Sequence, residues 1–241
     1  MAHPMTNEKY LPLLAQNPVF VDLSDQVHAE LLAAAVRRTY ASDELIVRQG
    51  DPAYAFHLLV EGKAKLLQVT ANGHQVLVRY IVPGQQTGVI SVLSGFTYPL
   101  SIQPIGTCTT LMWPGELLAQ FIERYPRIGF NALRIMVIRN QQRQQRYQEL
   151  LTERVEQRLA QSLLRLAEQV GRPEGDRILL DLPLSREDLA EYTGTTLFTV
   201  SRILRQWEEQ GFVQSGRERV CLCNLPALQS IANPAPDLPI S

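Results

Sequence analysis

Phe198, Ser201, Arg202 and Arg205 carry a ring, a hydroxyl and two guanidinium forks at spacings of three and four, so a helix through them presents all four on one side. A guanidinium fork matches the two acceptors on a guanine edge, and a hydroxyl or ring adds contacts to base edges and methyl groups. The chemistry on offer is therefore recognition of a duplex rather than bond making. Val200, Ile203, Leu204 and Trp207 interleave at helical spacing and supply an apolar side that packs. An amphipathic helix with a merely solvated charged face is the plainer reading of the same pattern. No Ser/His/Asp set, paired carboxylates, phosphate-cradling glycine loop or metal-ligand spacing stands out, which speaks against an enzyme.

The residues on either side are those needed to aim such a helix. Ser185 suits a helix N-cap, with Asp188 at the capping-box position and Leu189 and Ala190 on the apolar side of a first short helix. Thr193-Gly194 breaks that helix, because glycine tolerates the positive φ of a sharp turn, and Thr196 caps the second. FVQ, a turn at Ser215-Gly216-Arg217-Glu218 and ERVCLCN then read as a two-stranded hairpin. Helix, turn, helix and hairpin make a winged helix-turn-helix, whose wing offers Arg217 and Arg219 to a phosphate backbone.

At 241 residues the chain is long enough for two domains, and its net charge of −1 leaves any attraction for nucleic acid to local placement of charge. The start MAHPMTNEKYLPLL has no basic segment followed by a long apolar run, and no 18 apolar residues run together, so a cytoplasmic protein with no membrane partner is expected. Cys108, Cys221 and Cys223 are too few for a disulfide framework or a metal site. Residues 8 to 35 read as short helices, with Ser24 or Asp25 as a cap. From Val36 to Trp113 the runs VRRTY, LIVR, FHLLVE, KAKLLQV, QVLVRYIV and TCTTLMW read as separate strands. Turns are expected between them at Ser42-Asp43, Gln49-Gly50-Asp51, Glu61-Gly62, Asn72-Gly73 and Pro83-Gly84, the pattern of an antiparallel sandwich or jelly roll. Asn72-Gly73 is read as a type I′ hairpin turn.

A helix is expected from Pro114 to Arg124, and Pro126 stands at the first turn of a longer one. In that longer helix Phe130, Leu133, Val137, Asn140, Gln144, Tyr147 and Leu151 alternate at three and four, the seam of a two-stranded coiled coil. A second frame combines Leu133, Asn140 and Tyr147 with Met136, Arg143 and Leu150, and a helix lying on its own domain is the alternative to both. After a break near 151–154, Val155, Leu159, Leu163, Leu166 and Val170 form one stripe, ended by Gly171-Arg172-Pro173-Glu174-Gly175. NPAPDLPIS is expected to fray.

The order of these parts, with RQGDPAYAFHLLVEGKAKL and TVSRILRQWEEQGFV, resembles the Crp/Fnr family of bacterial transcription regulators (cyclic-AMP receptor protein and fumarate-nitrate regulator). The resemblance covers nearly the whole chain. It implies an α+β fold with an N-terminal jelly-roll, cyclic-nucleotide-binding-like sensor domain (1–125), a dimerisation helix (126–152), a C-terminal winged helix-turn-helix (153–232) and a tail (233–241). Phe130, Leu133, Val137, Asn140 and Tyr147 are its expected dimer residues. It further implies double-stranded DNA, a second copy of the chain, RNA polymerase and a small-molecule effector as partners. Arg202 matches the family arginine that reaches a guanine, and Ser201 a base-contacting serine. Phe198 stands where glutamate is usual and Leu197 where the cyclic-AMP branch has arginine, so a different consensus is expected, with Phe198 touching a thymine methyl. Arg186, Thr196 and Thr199 are placed to hold phosphates, with Arg205 and Arg217 beside them.

The sensor departs further from the resemblance. The Gly-Glu of the cyclic-nucleotide binders is Gly88-Val89 here, and their later Arg-Ser or Arg-Thr is Pro99-Leu100. A cyclic phosphate without its arginine would be a poorly compensated buried charge, so cyclic AMP is not the expected ligand. The cysteine cluster of the iron-sulfur branch is also missing. What remains is an apolar effector pocket around Gly88, Val89, Ser91, Leu100 and Ser101. Three readings of it stay open: a hydrophobic effector, haem with His28, His57 or His74 as axial ligand, or no ligand. Cys221 and Cys223, on one face of the wing strand, raise redox control. The rival function is a small-molecule-binding module, with haem or nitric oxide as one candidate ligand, signalling through protein contacts.

Overall fold

In the computed structural model, which describes residues 7–70, 72–73, 75–216 and 219–234, the alternating runs of the N-terminal half build one five-stranded antiparallel sheet. It lies in the first of two units, 1–142 and 143–241. Helices α1 (Leu11–Gln16) and α2 (Asp25–Ala34) come first, and the Ser24 hydroxyl caps α2 by accepting from Val27 N at 3.4 Å. Then follow β1 (Val36–Tyr40), β2 (Ala55–Val69), β3 (Gln75–Ile81), β4 (Gln86–Thr87), α3 (Val89–Ser94), β5 (Ser101–Pro114) and α4 (Gly115–Arg124). The strand order is β1-β5-β2-β3, with β4 pairing the early part of β2.

Three expectations about the strands of this unit need correction. Glu61-Gly62 is no turn: FHLLVE and KAKLLQV are one strand, β2, interrupted by register shifts between Leu59 and Glu61 and between Glu61 and Lys63. Gly62 has φ +82°, and a Cβ there would stand 2.3 Å from Thr107 O, so the bulge needs glycine. LIVR makes only an isolated bridge, Val47 to Ile102, whereas β5 begins six residues before TCTTLMW, at Ser101. Asn72-Gly73 does not form a two-residue type I′ turn. Val69 pairs with Gln75, so five residues lie between the strands, and of this dipeptide only Gly73 has a positive φ.

One face of the long strands packs on the helices through Phe20, Phe56 and Trp113, whose rings lie 5.4 to 5.5 Å apart. Trp113 Nε1 donates to Leu31 O at 2.9 Å. On β2 the buried His57 places Nδ1 3.4 Å from Thr110 Oγ1. Burial, and secondarily the Arg38 charge, push its pKa down to about 4. The unfolded chain therefore takes up a proton below about pH 6.5 that the native state refuses until near pH 4. Stability should fall as pH drops through that window, by about 3 kcal/mol in all. Urea titrations at pH 7, 5.5 and 4.5 test this: His57→Gln should flatten the decline, and equal slopes for both proteins would refute it.

Helix α5 (Arg127–Thr152) crosses the division between the units, which falls at Gln142 and Arg143. In the first unit it buries Ile128, Ala132 and Ile135, and Asn131 Nδ2 donates to Val19 O and Val21 O at 3.1 and 2.8 Å. The second unit continues with α6 (Val155–Val170), β6 (Gly171–Glu174), β7 (Arg177–Leu180), α7 (Arg186–Thr193), α8 (Leu197–Glu209), β8 (Val213–Gly216), β9 (Arg219–Leu222) and α9 (Leu225–Ala232). Leu159, Leu163, Leu166 and Val170 are buried, as their spacing in α6 requires. The hairpin expected after α8 is in fact half of a four-stranded sheet, β6-β7-β9-β8. Residues read as a helix-ending loop, Gly171 to Glu174, are its first strand.

Candidate nucleic-acid interface

Helix α7 starts on a complete capping box. Ser185 Oγ accepts from Asp188 N, and an Asp188 carboxylate oxygen accepts from Ser185 N, each at 2.9 Å. It stops at Gly194, where φ is +64°. Two features hold that stop. A Cβ at Gly194 would lie 2.8 Å from Leu150 Cδ2, and the Arg158 guanidinium donates to Thr193 O at 3.0 Å, Gly194 O at 3.5 Å and Glu153 O at 2.7 Å. Arg158 thus satisfies carbonyls at the end of α7 and sets a cation against its negative pole. Sequence reasoning missed this residue, since an arginine on a polar helix face looks like any solvated charge.

Helix α8 begins with Thr196, whose Oγ1 accepts from Thr199 N at 3.2 Å and shares a 2.9 Å bond with Thr199 Oγ1. Val200, Ile203, Leu204 and Trp207 are buried, which turns Phe198, Arg202 and Arg205 outward and leaves Ser201 half-buried beside them. Arg202 makes no hydrogen bond or ion pair among the described residues, so its fork is available. Arg205 Nε sits 3.5 Å from Glu209 Oε1, both exposed, a pair weak enough to be exchanged for a phosphate. Arg186 donates to Ser215 Oγ at 3.2 Å. Glu208 accepts from both Ser215 N, at 2.8 Å, and the Ser215 hydroxyl, and so ties the start of the wing to α8. Arg219 is exposed at the wing; Arg217 lies outside the described residues.

The remaining site residues fall elsewhere. Gly88 precedes α3 with φ +87°, and a Cβ there would meet Ala55 O at 2.7 Å and the Tyr98 ring at 3.4 Å. Tyr98 itself is buried, its hydroxyl donating to Ala55 O at 2.8 Å. Val89 is buried in the helix-side core, Ser91 and Leu100 are half-buried, and Ser101 Oγ accepts from Gln49 N at 2.9 Å. Of the histidines, His28 Nε2 bonds Phe20 O at 2.8 Å within the core, His57 is buried in the sheet, and His74 lies outside the described residues. Iron reaching His28 or His57 would need that core opened, so these two do not fit as axial ligands. Cys221 and Cys223 are half-buried; burial and the neighbouring Cys223 push the Cys221 thiol up, which keeps it protonated and a slow nucleophile.

On α5, Phe130, Leu133, Val137, Tyr147 and Leu151 are each more than half exposed, and Asn140 is exposed among them. The end of this helix is anchored within the second unit. Glu149 accepts two hydrogen bonds from Arg165 Nη1, at 2.9 and 3.0 Å, and Arg146 lies 4.8 Å from the centroid of the Tyr192 ring and donates to its hydroxyl. No described helix is long and apolar enough to cross a membrane.

Two family models match the chain, a Crp-like helix-turn-helix domain over residues 157–231 and a cyclic nucleotide-binding domain over residues 37–125. Over 220 residues the chain is 26% identical to the global nitrogen regulator of Synechocystis sp., covering 89% of this chain and 96% of that protein. It is 24% identical over 195 residues to the transcriptional activator protein anr of Pseudomonas aeruginosa, covering 81% of this chain and 80% of the relative. Among solved structures, FixK2 from Bradyrhizobium japonicum superposes with a TM-score of 0.72 at 23% identity, over 83% of this chain and 98% of that one. The match thus joins a sensor sheet, a long helix and a helix-turn-helix in one order, and the chain belongs to the Crp/Fnr family of transcription regulators.

Proposed function

We propose that this protein is a sequence-specific DNA-binding transcription regulator that works as a homodimer, with α8 in the major groove and the wing on the flanking phosphates. The observation that carries the reading is the division of α8: four buried apolar residues fix it to its unit, while Arg202 stands exposed and uncommitted one turn beyond the capped N-terminus. Thr196, Thr199 and Arg205 of the same helix, with Arg186 of α7, are assigned as phosphate-holding groups, and Ser201 lies on the same reading face. Two-fold symmetry then calls for a palindromic site with half-sites about one helical turn, roughly 34 Å, apart.

Dimerisation is assigned to the exposed face of α5. Phe130, Leu133, Val137, Asn140, Gln144, Tyr147 and Leu151 lie opposite the buried Ile128, Ala132 and Ile135, whereas Leu150 of the second frame turns toward Gly194. The first frame is therefore the seam. In the sensor, Val89 and Leu100 supply neither the carboxylate nor the cation that a cyclic nucleotide needs, and Tyr98 crowds the Gly88 backbone. An effector acting there is of another, less charged class, and acts by favouring one of two arrangements of the dimer.

Arg202→Ala tests the assignment. The expected loss is about 1–3 kcal/mol on the preferred duplex, with discrimination relaxed at a single base pair per half-site. Equal losses on preferred and random DNA would make Arg202 a phosphate-binding group and defeat its role as a reader.

A further inference from the structure

The start of α8 carries, beside the guanidinium of Arg202, two exposed apolar side chains that neither guanine recognition nor phosphate holding accounts for. Phe198 is 79% exposed and Leu197 52% exposed, so two large apolar side chains begin a helix whose other apolar residues are buried. Phe198 is not among the buried residues of α8, which are Val200, Ile203, Leu204 and Trp207, and has no aromatic neighbour among the described residues. Its neighbours along the face are Ser201 and Arg202, three and four residues on, and Arg205 and Arg186 add positive charge to the same unit's surface. An apolar tip within a cationic surface is matched by an apolar group within an anionic one. In the major groove the base-borne apolar group is the methyl at C5 of a pyrimidine.

Resting on the DNA-binding reading, we propose that Phe198 is a specificity-determining residue that reads the 5-methyl group of a pyrimidine close to the guanine taken by Arg202. Side chains four apart on a helix have Cβ atoms about 5–6 Å apart, and successive bases on one strand are about 3.4 Å apart. The ring and the guanidinium therefore address base pairs one or two steps from each other. A phenyl ring neither donates nor accepts, so it does not distinguish the amino group of cytosine from the carbonyl of thymine. It distinguishes methylated from unmethylated rings. Thymine and 5-methylcytosine are accepted at this position, and uracil and cytosine are disfavoured.

The test uses the full chain and a duplex enriched from a random pool. At each pyrimidine of both half-sites, thymine is exchanged for uracil, and separately 5-methylcytosine for cytosine, so that each comparison keeps its base-pairing partner. Fluorescence anisotropy at fixed salt should show, at one position per half-site, about a fourfold loss for each missing methyl in either comparison. Phe198→Ala should abolish both differences and keep the guanine preference set by Arg202, with an unchanged melting temperature because the ring is exposed. Phe198→Glu should shift the preference toward cytosine, whose amino group a carboxylate accepts. Methyl-independent binding at every position, or a methyl effect that survives in Phe198→Ala, overturns this role while leaving DNA binding intact. If no duplex is enriched at all, the DNA-binding reading fails, and this role fails with it.

Discussion

Replacing Leu133 and Val137 together by aspartate is expected to yield a monomer that binds a two-half-site duplex at least a hundredfold more weakly. The two positions are adjacent on the outward side of α5, and each is more than half exposed in the single chain. Neither fills the core that Ile128, Ala132 and Ile135 share, so the sensor unit should keep its stability. Four carboxylates facing each other across a two-fold seam would combine like-charge repulsion with the loss of apolar burial. Separated protomers lose the effective concentration that makes the second half-site almost free to bind, typically worth a factor of about 10² to 10⁴. Light scattering and anisotropy check both parts. Phe130→Asp should weaken the dimer more than Met136→Asp, because Phe130 belongs to the first frame and Met136 to the second. A dimer that survives the double substitution would move the interface elsewhere.

Glu149→Ala is expected to destabilise the second unit by about 3 kcal/mol, because it strands the positive charge of Arg165. The Glu149 side chain is only 7% exposed and that of Arg165 28%, so solvent screens the pair weakly. Arg165 Nη2 also lies 3.3 Å from Ser162 Oγ, which fixes the guanidinium to α6. The ion pair therefore anchors the last turns of α5 to α6. Removing one partner costs more than removing both, so Glu149→Leu with Arg165→Met should recover much of the loss. Full-chain urea unfolding separates the cases. A double variant no more stable than Glu149→Ala would show that the loss came from packing rather than from the unpaired charge.

Much of the reading head was legible because its signals are local. Ser185 and Asp188, Gly194, and Thr196 act within four residues of themselves, and the structure realises each as its residue type implies. The α6 stripe was equally plain, since burial of one face imposes a period that needs no partner to be recognised. The errors lie where a distant segment decides. Gly62 resembles a turn glycine until Thr107, across the sheet, is seen to require a bulge. Gly171 to Glu174 became a strand only because Arg177 to Leu180 lies alongside. Arg158 and Glu208 were invisible for the same reason: a surface charge shows nothing of its role until the carbonyl or hydroxyl it holds is in place. The helix α9 followed from Asn224, whose Oδ1 accepts from Ala227 N at 3.0 Å, a capping signal present in the sequence and passed over.

The measurement that reaches the central claim most directly is enrichment of duplexes from a random pool by the intact protein, followed by footprinting of the winner against a scrambled competitor. The account predicts two inverted half-sites about 10 base pairs apart, protected by two protomers, with the preference for guanine abolished by Arg202→Ala. Binding that shows no preference over the scrambled duplex, or protection of one unrepeated half-site by a single protomer, would contradict it.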